Sequence, residues 1–179
     1  NKELIVKSLP DNLKPLINTN SSIPTGPTIT ENSGSKAQNR TYQDLLKNPN
    51  DVENFKQLTT SKLSIVDLDG NQKKWLPSRM YKSIQLSPDK KYVLIDFIKT
   101  PFSYIVPYNR FPTETHVYDT DANLIKIIND APLLEELPKG FMSTTQGKRN
   151  FRWRSDKPST LSFSIALDGG DPLKKVEYR

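Results

Sequence analysis

The rhythm of apolar and polar positions changes once along this chain, near residue 60. Before that point the only strand-like run is Glu3 to Leu9, short and apolar. Pro10, Pro15, Pro24 and Pro27 follow among many Asn, Ser and Thr, a composition that cannot fill a core and predicts a long connection. Thr41-Tyr42-Gln43-Asp44 has the form of a helix start, with Thr41 as N-cap and Asp44 reaching back to it. Leu45, Leu46 and Lys47 would complete that helix ahead of Pro49. A second short helix is predicted from Val52, Phe55 and Leu58, whose spacing makes one apolar stripe, with Asn50 or Asp51 as its cap.

From residue 61 onward the pattern is short strands broken by turn residues. Leu63–Val66 leads into Asp67-Leu68-Asp69-Gly70-Asn71, Val117-Tyr118 into Asp119-Thr120-Asp121-Ala122-Asn123, and Ile165–Leu167 into Asp168-Gly169-Gly170-Asp171. Asp-Gly favours hairpins because such turns need positive φ. A second turn type is interleaved. Ser87-Pro88-Asp89 precedes Tyr92–Ile95, and Ser155-Asp156-Lys157-Pro158 precedes Thr160–Phe163. There Pro fixes φ and Asp bonds the backbone two residues on. The Asp-rich turns recur roughly every 50 residues, the size of a four-stranded propeller blade. The Ser-Pro-Asp interval is longer, and the stretch Ala131 to Gly147, read as a loop with one helical turn, accounts for the excess.

The predicted fold is therefore all-β, a partial β-propeller of about two to three four-stranded blades. Residues 1–60 would be a strand with a long connection carrying short helices, and residues 61–179 the blades. Ile84 and Leu86, or Phe151 and Trp153, would pack between neighbouring blades. A final strand is expected after Lys174-Lys175-Val176. Because so few blades cannot close a ring, the chain reads as a segment of a larger protein. An ordinary meander or sandwich with chance turn similarity is the alternative.

Composition narrows the chemistry. The 179 residues include no Cys and a single His, which leaves no disulfide framework, no Cys nucleophile and no His-rich metal site. The net charge of +6 is spread without a block of like charges, so it reads as a solvated surface rather than a partner site for nucleic acid. No apolar run is long enough for a membrane helix, and the chain begins with Asn, so a leader could have preceded it. No Gly-x-Ser-x-Gly elbow is present, and no catalytic residue is assigned. His116, on a strand, would need an orienting carboxylate and a nucleophile to serve as a base. Asp67-x-Asp69-x-Asn71 and Asp119-x-Asp121-x-Asn123 open like calcium loops but lack the closing Glu, so hairpin turns explain them and no metal is assigned. Glu135-Glu136 reads as solvent-facing. Asn20 and Asn39 head two glycosylation sequons.

Several words of sequence resemble the S9 (prolyl oligopeptidase) family of serine peptidases, in particular its glutamyl endopeptidase group. They are Pro24–Pro27 with Glu31–Gly34, Thr41–Pro49, Pro101–Pro107 with Arg110–Pro112, and Trp153–Leu161 with Asp168–Asp171. The resemblance implies an N-terminal β-propeller that caps a C-terminal α/β-hydrolase domain bearing a Ser-Asp-His triad, of which this chain matches the propeller alone. It further implies a peptide substrate, a hydrolase-domain partner in the same polypeptide, no cofactor, and a plastid, periplasmic or secreted setting according to the source. Arg110, with Tyr104 and Tyr108 in the same Pro-bounded segment, is the candidate for substrate binding, since a guanidinium can pair bidentately with a carboxylate. A role in bracing the loop is the competing reading of Arg110. A non-enzymatic propeller that binds proteins is the alternative function.

Overall fold

A computed structural model describes residues 3–18 and 42–177. Its elements are β1 (Glu3–Ser8), α1 (Pro49–Thr59), β2 (Thr60–Asp67), β3 (Gln72–Leu86), β4 (Tyr92–Ile98), a 3-10 turn (Tyr108–Arg110), β5 (Thr113–Asp119), β6 (Leu124–Ala131), β7 (Lys148–Trp153) and β8 (Leu161–Ile165). β1 to β6 form one antiparallel sheet in chain order, and β7 pairs with β8. The chain is thus all-β, an open and propeller-like arrangement with no closed barrel. No helix among the described residues is long and apolar enough to cross a membrane.

The 15-residue β3 organises this layout. Its first part, Gln72 to Met80, pairs with β2, and its second, Tyr81 to Leu86, pairs with β4. Pro77 has no N–H to give the ladder, and the β2–β3 register shifts beside it, between Ser61 and Leu63. The second half of β3 with β4, β5 and β6 makes a four-stranded meander, while β1, β2 and the first half of β3 make a three-stranded one. β7 lies against β3, with Trp153 Nε1 donating to Gln85 O at 3.0 Å.

The turns form as their residues dictate. Asp67 Oδ1 accepts from the backbone N of Asp69 and Asn71, and its Oδ2 from Asn71 Nδ2 at 2.9 Å. Asp119 repeats this with Asp121 and Asn123 at matching distances. The residue needing positive φ is Gly70 in one turn and Ala122 in the other. Ser87 Oγ donates to Asp89 Oδ1 at 2.6 Å and accepts from Tyr92 N, which closes the β3–β4 turn. Asp89 N in turn donates to Pro158 O at 3.1 Å, so the two Ser-Pro-Asp type turns touch each other.

β4 is central and supplies the core. Val93, Ile95 and Phe97, one face by the two-residue period, pack with Leu63, Trp75, Leu76, Tyr81 and Tyr118. On the other face Asp96 receives hydroxyls from Ser83 and Thr115, each at 2.6 Å. A second cluster gathers Ile98, Val106 and Phe111 with Tyr42, Leu46, Phe55, Met80, Phe102 and Leu133.

Several expectations need correction. Residues 42–48 carry no helix, and Asp44 sits at φ 56, where it cannot lie in a first helical turn. Thr41, the predicted cap, and Asn20 and Asn39 lie outside the described residues. The α-helix of the described residues starts earlier than predicted: Asn48 caps it by accepting from Asp51 N at 2.9 Å, and Pro49 takes the first turn, where its missing N–H costs nothing. Residues 132–147 contain no helical turn. Leu86 is exposed rather than packed. The strand expected after Lys174-Lys175-Val176 runs into Tyr178 and Arg179, outside the described residues; before it, Leu173 N bonds back to Asp171, and Gly170 is held to Thr144.

Candidate functional site

The Pro-bounded segment after β4 is held at both ends. Lys99 N donates to Pro112 O at 2.8 Å, and Leu134 N to Arg110 O at 3.1 Å. Inside it, Ser103 Oγ reaches Glu135 Oε1 at 2.7 Å and also receives Ile105 N. Its apolar residues seat it on α1: Phe102 and Phe111 stack on each other at 5.0 Å and meet Phe55 edge-on at 5.1 and 5.6 Å.

This scaffold places the three predicted binding residues differently. Tyr104 and Tyr108 are about half exposed, and the Tyr108 ring leans toward Phe55 at 6.4 Å. Arg110 is half-buried, with its guanidinium 5.4 Å from the centre of the Tyr42 ring, a cation–π contact. The three residues share one loop, and among the described residues Arg110 meets Tyr42 and the backbone of Leu134 and Pro107.

The chemistry that residue patterns did not single out lies on β5. Glu114, His116 and Tyr118 alternate and so share a face, where their cross-strand neighbours are Phe97, Ile95 and Val93. Glu114 is the hub. Its Oε1 takes Lys99 Nζ at 2.9 Å, and its Oε2 takes His116 Nε2 at 3.0 Å. Lys99 also reaches Asp130 at 2.6 Å. The Lys99 hydrogen bond, with lesser help from His116, holds the Glu114 carboxyl below its usual range, and Asp130 followed by Glu114 raises Lys99. Arg79 lies on the Phe97 ring, its guanidinium carbon 3.7 Å from the centroid. Burial pushes the Tyr81 hydroxyl up to about 12, and it raises Tyr118 against the opposing pull of Arg79.

His116 therefore has the carboxylate a general base requires. No nucleophile faces it among the described residues: its other nitrogen meets Tyr118 Oη at 3.2 Å, and the buried ring packs against Phe97. The alternation Glu-x-His-x-Tyr was the available signal for this cluster, and it needs the neighbouring strand to acquire meaning. No group of acidic and His residues suited to a metal ion occurs among the described residues. The Asp67 and Asp119 carboxylates are taken up by their own turns, which lower both.

An all-β segment with bound turns and a half-buried polar hub does not by itself name an activity, but its sequence relatives narrow the field. The chain is 42% identical over 159 residues, 88% of its length, to a rice (Oryza sativa subsp. japonica) protein named "Probable glutamyl endopeptidase, chloroplastic". It is 36% identical over an alignment of 185 positions, spanning the whole chain, to an Arabidopsis thaliana protein of the same name. The chain covers 17% and 18% of the lengths of these two proteins. No family model matches it, and no solved structure matches it. The chain is thus similar, from end to end, to one segment of glutamyl endopeptidases, in line with the resemblance carried by its motifs.

Proposed function

We propose that this chain is a non-catalytic β-propeller segment of an S9-type glutamyl endopeptidase. It would gate peptide substrates and help bind them for an α/β-hydrolase domain elsewhere in the same polypeptide. The observation that carries the reading is identity of 36–42% over most of the chain to proteins of that name, of which the chain spans less than a fifth. The four-stranded meander from the second half of β3 to β6, set beside two smaller strand groups, supports it as a blade with neighbours. In this reading residues 1–60 connect blades and residues 61–179 form them.

Arg110, Tyr104 and Tyr108 belong to the same proposal as residues that meet the substrate. Pro107 and Pro112 limit the freedom of the segment, so a side chain there is ordered before a substrate arrives. The test uses the full-length peptidase with matched Glu and Gln substrates. Arg110→Ala is expected to lower kcat/KM for the Glu substrate by roughly one to two decades and to spare the Gln substrate, because only the carboxylate loses its partner. Equal losses on both, or a loss matched by a lower Tm, would make Arg110 the brace of Tyr42 and nothing more. A full-length reading frame with no downstream Gly-x-Ser-x-Gly would favour a non-enzymatic binding module instead.

A further inference from the structure

A cleft of about 460 Å³ opens where α1, β3 and the end of β4 meet, lined by Lys56, Thr60, Arg79, Met80, Ile98, Lys99 and Thr100. Three cations, from α1, β3 and the loop after β4, line one depression, with two hydroxyls and an apolar wall of Met80 and Ile98 beside them. Their neutralisation is uneven. Lys99 is taken by Glu114 and Asp130. Lys56 has only Glu53 one helical turn back, an exposed pair that contributes little in water. Arg79 keeps donors to spare. The Glu114 oxygen nearest it is already bound by His116, and Arg79 Nη2 stays 3.7 Å away, beyond a hydrogen bond. A guanidinium has five N–H donors, and Arg79 shares one interaction with the Tyr118 hydroxyl.

Phe97 supports the Arg79 guanidinium at 3.7 Å, while the side chain stays more than a third exposed. That is a fork ordered in advance for a planar oxyanion. The geometry points to this cleft as a docking site for a carboxylate of an acidic polypeptide segment. Arg79 forms the fork, Lys56 adds charge at the rim, and Met80 and Ile98 receive the methylenes of the docked side chain, an apolar contact that inorganic phosphate would not use. The site goes beyond the proposed function: it uses none of Arg110, Tyr104 or Tyr108 and needs no catalytic domain.

The test measures fluorescence anisotropy of a dye-labelled, Glu-rich nonapeptide against the whole chain, with its Gln counterpart as control. The Glu peptide should bind and the Gln peptide should not. Arg79→Gln should weaken binding about tenfold, since a bidentate contact is lost. Lys56→Gln, on an exposed helix face and safe for folding, should weaken it about threefold. Lys126→Gln removes the same charge from β6, away from the cleft, and should change nothing. Equal binding of the Gln peptide would overturn the proposal. So would an effect of Lys126→Gln equal to that of Lys56→Gln, or displacement by inorganic phosphate as effective as by the unlabelled Glu peptide.

Discussion

Glu114 shows how one carboxylate can order several cations and still be recorded in stability. Its carboxyl is depressed, chiefly by Lys99, so its contribution is complete above the ordinary value of 4.5 and is lost as pH falls through the lower folded value. Glu114→Gln should cost about 1 kcal/mol at neutral pH, the low end for a charged hydrogen bond because solvent still reaches the group. The difference in Tm between wild type and variant should shrink as pH is lowered from about 6 to about 3. A constant difference across that range would mean that the charge is irrelevant. Tyr81 gives the opposite limb. Its hydroxyl is raised, so the stability it brings is present below the usual value of 10.0 and is lost as pH climbs toward about 12. Tyr81→Phe should flatten the alkaline fall seen in thermal melts. Neither role was legible along the chain. Single-residue patterns placed His116 on a strand correctly, but the other partners of Glu114 are Arg79 on β3 and Lys99 just after β4, and only strand pairing brings them near.

At the scale of elements, the turns were the most legible feature, because each is specified by its own few residues. Asp67 and Asp119 bind their backbones alike, and the Ser87–Asp89 turn closes as its residues require. The helix was legible by its stripe and misjudged at its start, since Pro49 can open a helix as readily as end one. The predicted helix at residues 41–47 failed on its described residues because Leu46 and Tyr42 are drawn into the aromatic cluster around Phe55, a tertiary pull that outweighs local capping. Two glycines test turn energetics separately. At Gly70 an added Cβ meets nothing, so Gly70→Ala should cost only the left-handed backbone term, about 1 kcal/mol. At Gly170 an added Cβ would fall 2.1 Å from Thr144 O, so Gly170→Ala must also displace backbone and should cost more than 2 kcal/mol. Denaturant midpoints for the two variants check the order; equal losses would show that the 144–170 contact is not maintained.

For the molecule as a whole, the open sheet carries two end strands. β1 exposes Leu4, and β6 exposes Leu124, Ile125 and Ile127. Unpaired edges of this kind recruit other strands. The isolated chain should therefore self-associate, and sedimentation that finds a monodisperse monomer with a sharp, high Tm would contradict the partial-propeller reading. The same chain should hydrolyse neither peptide nor ester, since among the described residues the buried His116 faces Glu114 and Tyr118 and no nucleophile; turnover of a Glu-linked chromogenic peptide that a serine-directed inhibitor stops would refute this. β3 gives the ensemble its mechanical character. One continuous backbone is laced to β2 on one stretch and to β4 on the next, with the hand-over between Met80 and Tyr81. Tension applied to either meander has no slack linker in which to dissipate, and passes along the strand into the other. Hydrogen exchange at Ile65 and at Leu94 should then report a single shared opening event, and a loop of glycines spliced in after Met80 should uncouple it into two.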